Sequence, residues 1–303
     1  MAQAITEERP ELRCVCVDLD PDLSADAIAS LLAEIRSGED EEQVAFRKCE
    51  RYVARLAAKP MQDGLDKPLR LTISSRGMID NLKVAPGQRR PVPPGCVEIQ
   101  VDAAGLNFRD VLNVLAMVPG DVGPLGAECA GHVVAVGDGV SGLQEGDEVI
   151  AMTPNGGQDA FVIVDARLVA LKPANLTAEK SATIPAAFLT VRYTMESLAN
   201  IRRGDRVLIH AATGGVGLAA VQIAQRAGAE IFATAGNERK RAYLRSLGIR
   251  HVMNSRTVDF AREILEHTGG RGVDMVLNSL TGESIAASFS VMAPGGRFIE
   301  IGK

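Results

Sequence analysis

The stretch of this chain best suited to chemistry is Val207-Leu208-Ile209-His210-Ala211-Ala212-Thr213-Gly214-Gly215-Val216-Gly217. An apolar run meets a glycine cluster, and an alanine-rich segment follows at 218–224. That order reads as strand, tight turn and helix. Glycines at such a turn permit positive φ and let a ligand approach the backbone closely. The first N–H groups of the helix, at the positive end of its dipole, suit a phosphate. Ala211, Gly214 and Gly217 give the spacing A-x-x-G-x-x-G, a relative of the dinucleotide fingerprint. The turn alone fits a purely structural role equally well, so its meaning rests on the elements around it.

Those elements alternate from about residue 173 onward. Strands are expected at 207–211, 231–235, 251–254, 273–277 and 298–301, with helices at 238–247, 258–267 and 283–292 between them. Five apolar strands separated by helices predict a Rossmann-type, doubly wound parallel sheet covered on both faces. The glycine turn is then its first βα turn, where a dinucleotide pyrophosphate belongs. Ala212, Thr213, Gly214, Gly215, Val216 and Gly217 are the candidate cradle. The second strand ends Thr234-Ala235-Gly236-Asn237, without the acid that takes a ribose 2′-hydroxyl, and Arg239, Lys240 and Arg241 follow. A missing acid beside cations predicts NADPH, with Gly236 and Lys240 at the 2′-phosphate. Glu238 nearby counts against this, and a solvated basic helix turn is the alternative.

Residues 68–175 have a different character. Short strands at 69–73, 96–101, 126–136, 148–152 and 160–166, punctuated by Gly and Asp turns, predict a β-barrel-like domain with one helix at 108–117. Residues 179–199 read as helical with one interruption at Pro185. The first 57 residues form a short α+β piece: a strand in 12–20, a helix to about Arg36 and two strands within 43–55. It is too small for a core of its own and reads as the remnant of something upstream, joined by a polar linker at 58–67. The expected domains are thus 1–57, 58–67, 68–175 and 176–303.

The 303 residues are 46% hydrophobic and 23% charged, with net charge −5, a globular balance that argues against nucleic-acid and membrane-surface roles. No apolar run approaches the roughly 20 residues of a membrane span, and residues 1–13 lack a secretory layout. Five scattered cysteines (Cys14, Cys16, Cys49, Cys96, Cys129) fit buried thiols in a reducing cytoplasm.

Further stretches carry a resemblance. Ala103-Ala104-Gly105-Leu106-Asn107-Phe108-Arg109-Asp110, Pro124-Leu125-Gly126-Ala127-Glu128-Cys129-Ala130-Gly131, 182–190 (ATIPAAFLT), Asn278-Ser279-Leu280 and Pro294-Gly295-Gly296-Arg297-Phe298 stand beside the glycine turn. Together they resemble the enoyl reductase domain of modular polyketide synthases. That domain is kin to the fatty acid synthase enoyl reductase and to quinone oxidoreductases in the medium-chain dehydrogenase/reductase superfamily. The resemblance runs from about Pro68 to Lys303. The N-terminal piece is similar to the end of the structural ketoreductase subdomain that precedes the enoyl reductase in such synthases.

The resemblance implies a GroES-like substrate barrel plus the Rossmann domain. It also implies reduction of an α,β-unsaturated acyl thioester held on an acyl carrier protein, among neighbouring synthase domains. Hydride goes to the β-carbon and a proton to the α-carbon. It assigns Asn107 to the nicotinamide pocket, Tyr193 and Asn278 to the cofactor, and Lys303 to proton donation. Val118 stands in the substrate pocket where many members have a tyrosine donor, which leaves the protonated face open. Arg109 and Asp110 are expected to form a helix-start ion pair. Zinc members have His where this chain has Ala127, and Cys129 alone is not a site, so no metal is expected. Five strands instead of six predict a chain truncated at its C-terminal end. A free-standing quinone or enone reductase and a catalytically silent cofactor-binding scaffold are the alternatives.

Overall fold

The computed structural model describes residues 14–19, 25–37, 41, 43–48, 50–55, 68–120 and 123–302. The chain divides into two units, Met1–Leu65 and Asp66–Lys303. In the first, β1 (Cys16–Asp18), β2 (Gln43–Arg47) and β3 (Glu50–Val53) form one sheet in that order, with helix α1 at Ala25–Ser37. Strands β1 and β2 are parallel, β2 and β3 antiparallel. The expected linker at 58–67 lies outside the described residues.

The second unit begins with a hairpin, β4 (Leu69–Ile73) and β5 (Leu82–Pro86). The five-stranded sheet that follows contains β6 (Cys96–Ala104), β7 (Glu128–Val136), β8 (Glu148–Met152), β9 (Phe161–Asp165) and β10 (Val169–Leu171), in the order β10-β8-β7-β6-β9. Val97, Ile99, Val133, Val149, Val162 and Val164 alternate inward to make its core. Backbone bonds from Leu71 N to Gln158 O and from Ala160 N to Leu69 O fasten the hairpin to it. The GroES-like barrel expected from the sequence is present. Strands β5 and β10 were not expected, and helix α2 (Phe108–Val114) is shorter than the predicted 108–117. The helix ends because Ala116 adopts φ +55°.

The expected helix over 179–199 is three pieces: α3 (Ala178–Ser181), α4 (Pro185–Val191) and a π-helical segment, Arg192–Leu198. The Thr194 hydroxyl donates to Thr190 O (2.7 Å), competing with the backbone ladder at the point where the helix widens.

The third sheet is wholly parallel, in the order β13-β12-β11-β14-β15. Its strands are β11 (Arg206–Ile209), β12 (Glu230–Ala235), β13 (His251–Asn254), β14 (Val273–Asn278) and β15 (Met292–Glu300). The connecting helices are α5 (Gly215–Ala227), α6 (Glu238–Ser246), α7 (Phe260–Thr268) and α8 (Glu283–Ser290). One face packs α4, α5 and α6 through Val191, Ala220, Ile223 and Leu244. The other packs α7 and α8 around Phe232, Phe260 and Ile264. Burial on both faces explains why the central strands β11 and β12 read as mostly apolar runs. The strand order reverses between β11 and β14, the switch point at which ligands bind in such sheets.

Candidate functional site

The glycine turn leaves the carboxyl end of β11 at that switch point. Its conformation differs from the sequence expectation: Gly214, Gly215 and Gly217 do not take positive φ, and Ala211 does (φ +45°). The glycines are needed for space instead. A Cβ on Gly217 would stand 2.5 Å from Ala211 O and 2.6 Å from Ala212 Cα, so only hydrogen lets α5 close on the strand end. A Cβ on Gly215 would meet nothing within 4 Å. Gly214 and Gly215 are exposed and keep the opening N–H groups of a thirteen-residue helix uncovered. Ala212 is wholly buried and offers backbone only, while Thr213 and Val216 are half-buried at the rim. The exposed start of α5 is an arrangement that suits an anionic group.

At the end of β12 the cations sort themselves. Glu238, whose proximity counted against NADPH, spends its carboxylate on Arg245 (2.6 Å) and Arg241 (3.0 Å) of its own helix. Those bonds hold it below the usual carboxylate range, Arg245 first. Arg241 also reaches Ala235 O and Asn254 Oδ1. Lys240 is exposed, its backbone N–H donating to the Asn237 side-chain cap. A cation missed in the sequence lies here: Arg256, past the end of β13, brings Nε to 2.9 Å from where a Gly236 Cβ would sit. Only its position after the third strand could have hinted at this. Gly236 is therefore roofed by the Arg256 guanidinium, and Lys240 stands exposed on the first turn of α6.

On the neighbouring strand, Asn278 is buried and fully occupied. Its Nδ2 donates to Leu280 O (2.8 Å) and Glu300 Oε2 (2.7 Å), and its Oδ1 accepts from Leu280 N. Glu300 also accepts from Gly302 N. Asn278 thus fixes the loop after β14, with both Nδ2 hydrogens committed and one lone pair of Oδ1 left over. Lys303 lies outside the described residues. Tyr193 is 60% exposed on the π-helical segment, whose Met195 is anchored in the core under the turn.

The barrel contributes Asn107, which opens α2 in a reciprocal capping box with Asp110. Asp110 Oδ2 accepts from Asn107 N (3.0 Å) and Oδ1 from Gly126 N (2.9 Å). The expected Arg109–Asp110 ion pair does not form: both carboxylate oxygens are on backbone amides, and Arg109 Nη2 is buried without a partner. Asn107 Nδ2 donates to Glu128 Oε1 (2.9 Å), and Glu128 Oε2 accepts from Ala186 N (2.7 Å) at the start of α4. Glu128 was in a quoted motif, but a single acid at a strand start has no spacing to reveal it. Val118 is half-buried in the loop after α2. Two cavities, of about 710 and 430 Å³, lie against the β4–β5 hairpin and contain none of these residues.

His210 follows β11 and is wholly enclosed. Nδ1 faces Thr234 Oγ1 (2.9 Å) and Nε2 faces Ser288 Oγ (2.8 Å), and burial pushes its pKa down to about 4. It is a neutral structural link between β12 and α8. Cys129 is buried in the barrel core, and desolvation pushes its thiol up to about 12. Among the described residues no three His, Cys, Asp or Glu side chains converge to hold a metal. A protonated core thiol and no converging donors do not fit zinc. No helix among the described residues is long and apolar enough to cross a membrane.

Comparison with known proteins agrees with this arrangement. Residues 93–174 match the alcohol dehydrogenase GroES-like domain and residues 215–303 the zinc-binding dehydrogenase family. A mycocerosic acid synthase-like polyketide synthase of Mycobacterium tuberculosis is 44% identical over the whole chain. The chain spans only 15% of that protein's length. The CurK enoyl reductase superposes with TM-score 0.74 at 49% identity, over 78% of this chain and 76% of that one. The CurF ER cyclopropanase of curacin A biosynthesis does so with TM-score 0.73 at 44% identity, over 78% and 75%. With a barrel, a switch-point glycine turn and this likeness over three quarters of a solved relative, the chain belongs to the polyketide enoyl reductase family of the medium-chain dehydrogenase/reductase superfamily.

Proposed function

We propose that this chain is the NADPH-dependent enoyl reductase region of a polyketide synthase, acting on an α,β-unsaturated acyl thioester carried by an acyl carrier protein. The observation that carries the reading is the open Gly214-Gly215 cradle at the switch point, with Lys240 and Arg256, and no free acid, at the end of β12. The relatives support the reaction class. When bound, NADPH supplies the hydride that the β-carbon receives. The chain's own residues bind and orient. Amides of residues 215–217 hold the pyrophosphate, Lys240 and Arg256 hold the 2′-phosphate, and Asn107 and Tyr193 flank the nicotinamide end. No zinc takes part, and backbone N–H groups or a cation carry the enolate charge. Lys303 is the proposed proton donor, and Val118 leaves the family's tyrosine position without a hydroxyl.

The test is NADPH oxidation by the full-length protein with crotonyl and 2-methylcrotonyl thioesters. Turnover supports the reductase. Tight NADPH binding without turnover supports a silent scaffold. Reduction of quinones in preference to thioesters supports the free-standing type.

The cation assignment predicts its own result. Arg256→Ala and Lys240→Ala should each raise the Kd for NADPH about tenfold or more, the loss of one charge-assisted contact. The Kd for NADH should stay within about twofold. Equal weakening of both cofactors, read by titration of bound-nucleotide fluorescence, refutes the assignment.

A further inference from the structure

Glu128 is an acid in a place that charges avoid. It opens β7 with 4% of its surface exposed. Its two oxygens are taken by uncharged donors from different domains, Asn107 Nδ2 on the barrel side and Ala186 N on the cofactor side. The loop ahead of α2 is built around it. A Cβ on Gly105 would stand 2.4 Å from Glu128 Cγ, and Gly105 N donates to the Glu128 backbone carbonyl (3.1 Å). A buried carboxylate held only by neutral donors depends on both of them. Losing either bond leaves a charge without its partner, so the pair of bonds acts as one coupling between the two domains.

We propose that Glu128 is a positioning residue that sets the register of the barrel against the cofactor domain. One oxygen fixes the amide of Asn107. The other fixes the first turn of α4, which runs directly into the π-helical segment carrying Tyr193. The two side chains placed at the nicotinamide end thus share a single carboxylate as their reference point. The cradle and the Lys240–Arg256 pair make no contact with it. Glu128 therefore governs how the reactive end is aligned and leaves the affinity of the phosphate end alone. This rests on the enoyl reductase reading given above.

The experiment is an exchange of donor and acceptor in the full-length protein. In Glu128→Gln the new amide can still accept from Ala186 N, but its NH2 then faces the NH2 of Asn107. In Asn107→Asp a second carboxylate faces the first. In the double variant the introduced amide donates to the introduced carboxylate, and the bond is restored. Each single variant should lower kcat at least tenfold, and Glu128→Gln should keep the Kd for NADPH within about twofold of the wild type. Each should also lose much of the blue shift in bound-NADPH fluorescence. The double variant should recover most of both. Without cofactor, amide exchange at Ala186 should be faster in Glu128→Ala, which has no acceptor for that N–H, and this measurement decides if Asn107→Asp does not fold. A double variant no better than the worse single, or single variants with wild-type kcat and emission, overturns the proposal. So does unchanged exchange at Ala186. If the wild type neither binds NADPH nor reduces an enoyl thioester, the functional reading fails, and this inference fails with it.

Discussion

Replacing Gly217 by alanine is expected to cost about 2–3 kcal/mol of stability, the scale of overpacking a tight site. The same change at Gly215, two residues earlier, should leave the fold intact and weaken NADPH binding. At Gly217 the added methyl meets backbone on both sides, Ala211 O at 2.5 Å and Ala212 Cα at 2.6 Å, and backbone cannot swing aside as a side chain can. Helix α5 must move off the sheet, which opens the packing of Ala219, Ala220 and Ile223. At Gly215 there is no obstruction, and alanine suits a helix start better than glycine by a fraction of a kcal/mol. Its melting temperature should hold or rise slightly. The methyl would project into the phosphate cradle, and the Kd for NADPH should rise about tenfold, equivalent to about 1.4 kcal/mol. Thermal melts and nucleotide titrations on both variants check this. If both variants melt equally low, the division between packing and binding is wrong.

The second large effect is one of pH. His210 is held neutral between Thr234 and Ser288. The Ser288 hydroxyl donates to Ser284 O (2.6 Å), so His210 carries its proton on Nε2 and accepts from Thr234 at Nδ1. Its pKa is about 4 folded, against an ordinary value of 6.5. A depressed folded pKa means that the unfolded chain binds the extra proton first. The stability tied to the neutral ring is therefore fully present above pH 6.5 and is lost as pH falls toward 4. The loss from this one group is about 3 kcal/mol. His210→Gln should be less stable at pH 7 and show a shallower decline over that window, since acidic groups common to both proteins cancel in the comparison. Parallel stability curves for the two proteins would show that the ring is not responsible.

The parallel sheet was legible in the sequence because burial on both faces leaves its central strands mostly apolar, and glycines mark where the chain turns. The barrel was legible in outline. Strand β5 was hidden because Pro86 closes it and a proline-rich loop follows. The π-helical segment could not be read from periodicity, since it arises from the Thr194 hydroxyl competing for backbone carbonyls. At the site, the glycine turn could be read because its residues are contiguous. Arg256 and Glu128 could not, because each gains its meaning from a residue distant in sequence, Gly236 in one case and both Asn107 and Ala186 in the other. Asn278 shows the converse. Its motif marks it, and both of its amide hydrogens are committed to the loop that surrounds it.

The separation of Gly215, Lys240 and Arg256 from Gly217 and His210 bears on how such a domain evolves. The first three lie on or near the surface and nothing in the core leans on them, so they are open to substitution. Gly217 and His210 are locked by neighbours that would all have to change together. Under the proposed assignment, the cofactor contacts can therefore change by single steps through fully folded ancestors, while the packing at Gly217 stays frozen. A lineage of these domains should diversify in which dinucleotide it uses long before it diversifies in where the dinucleotide lies.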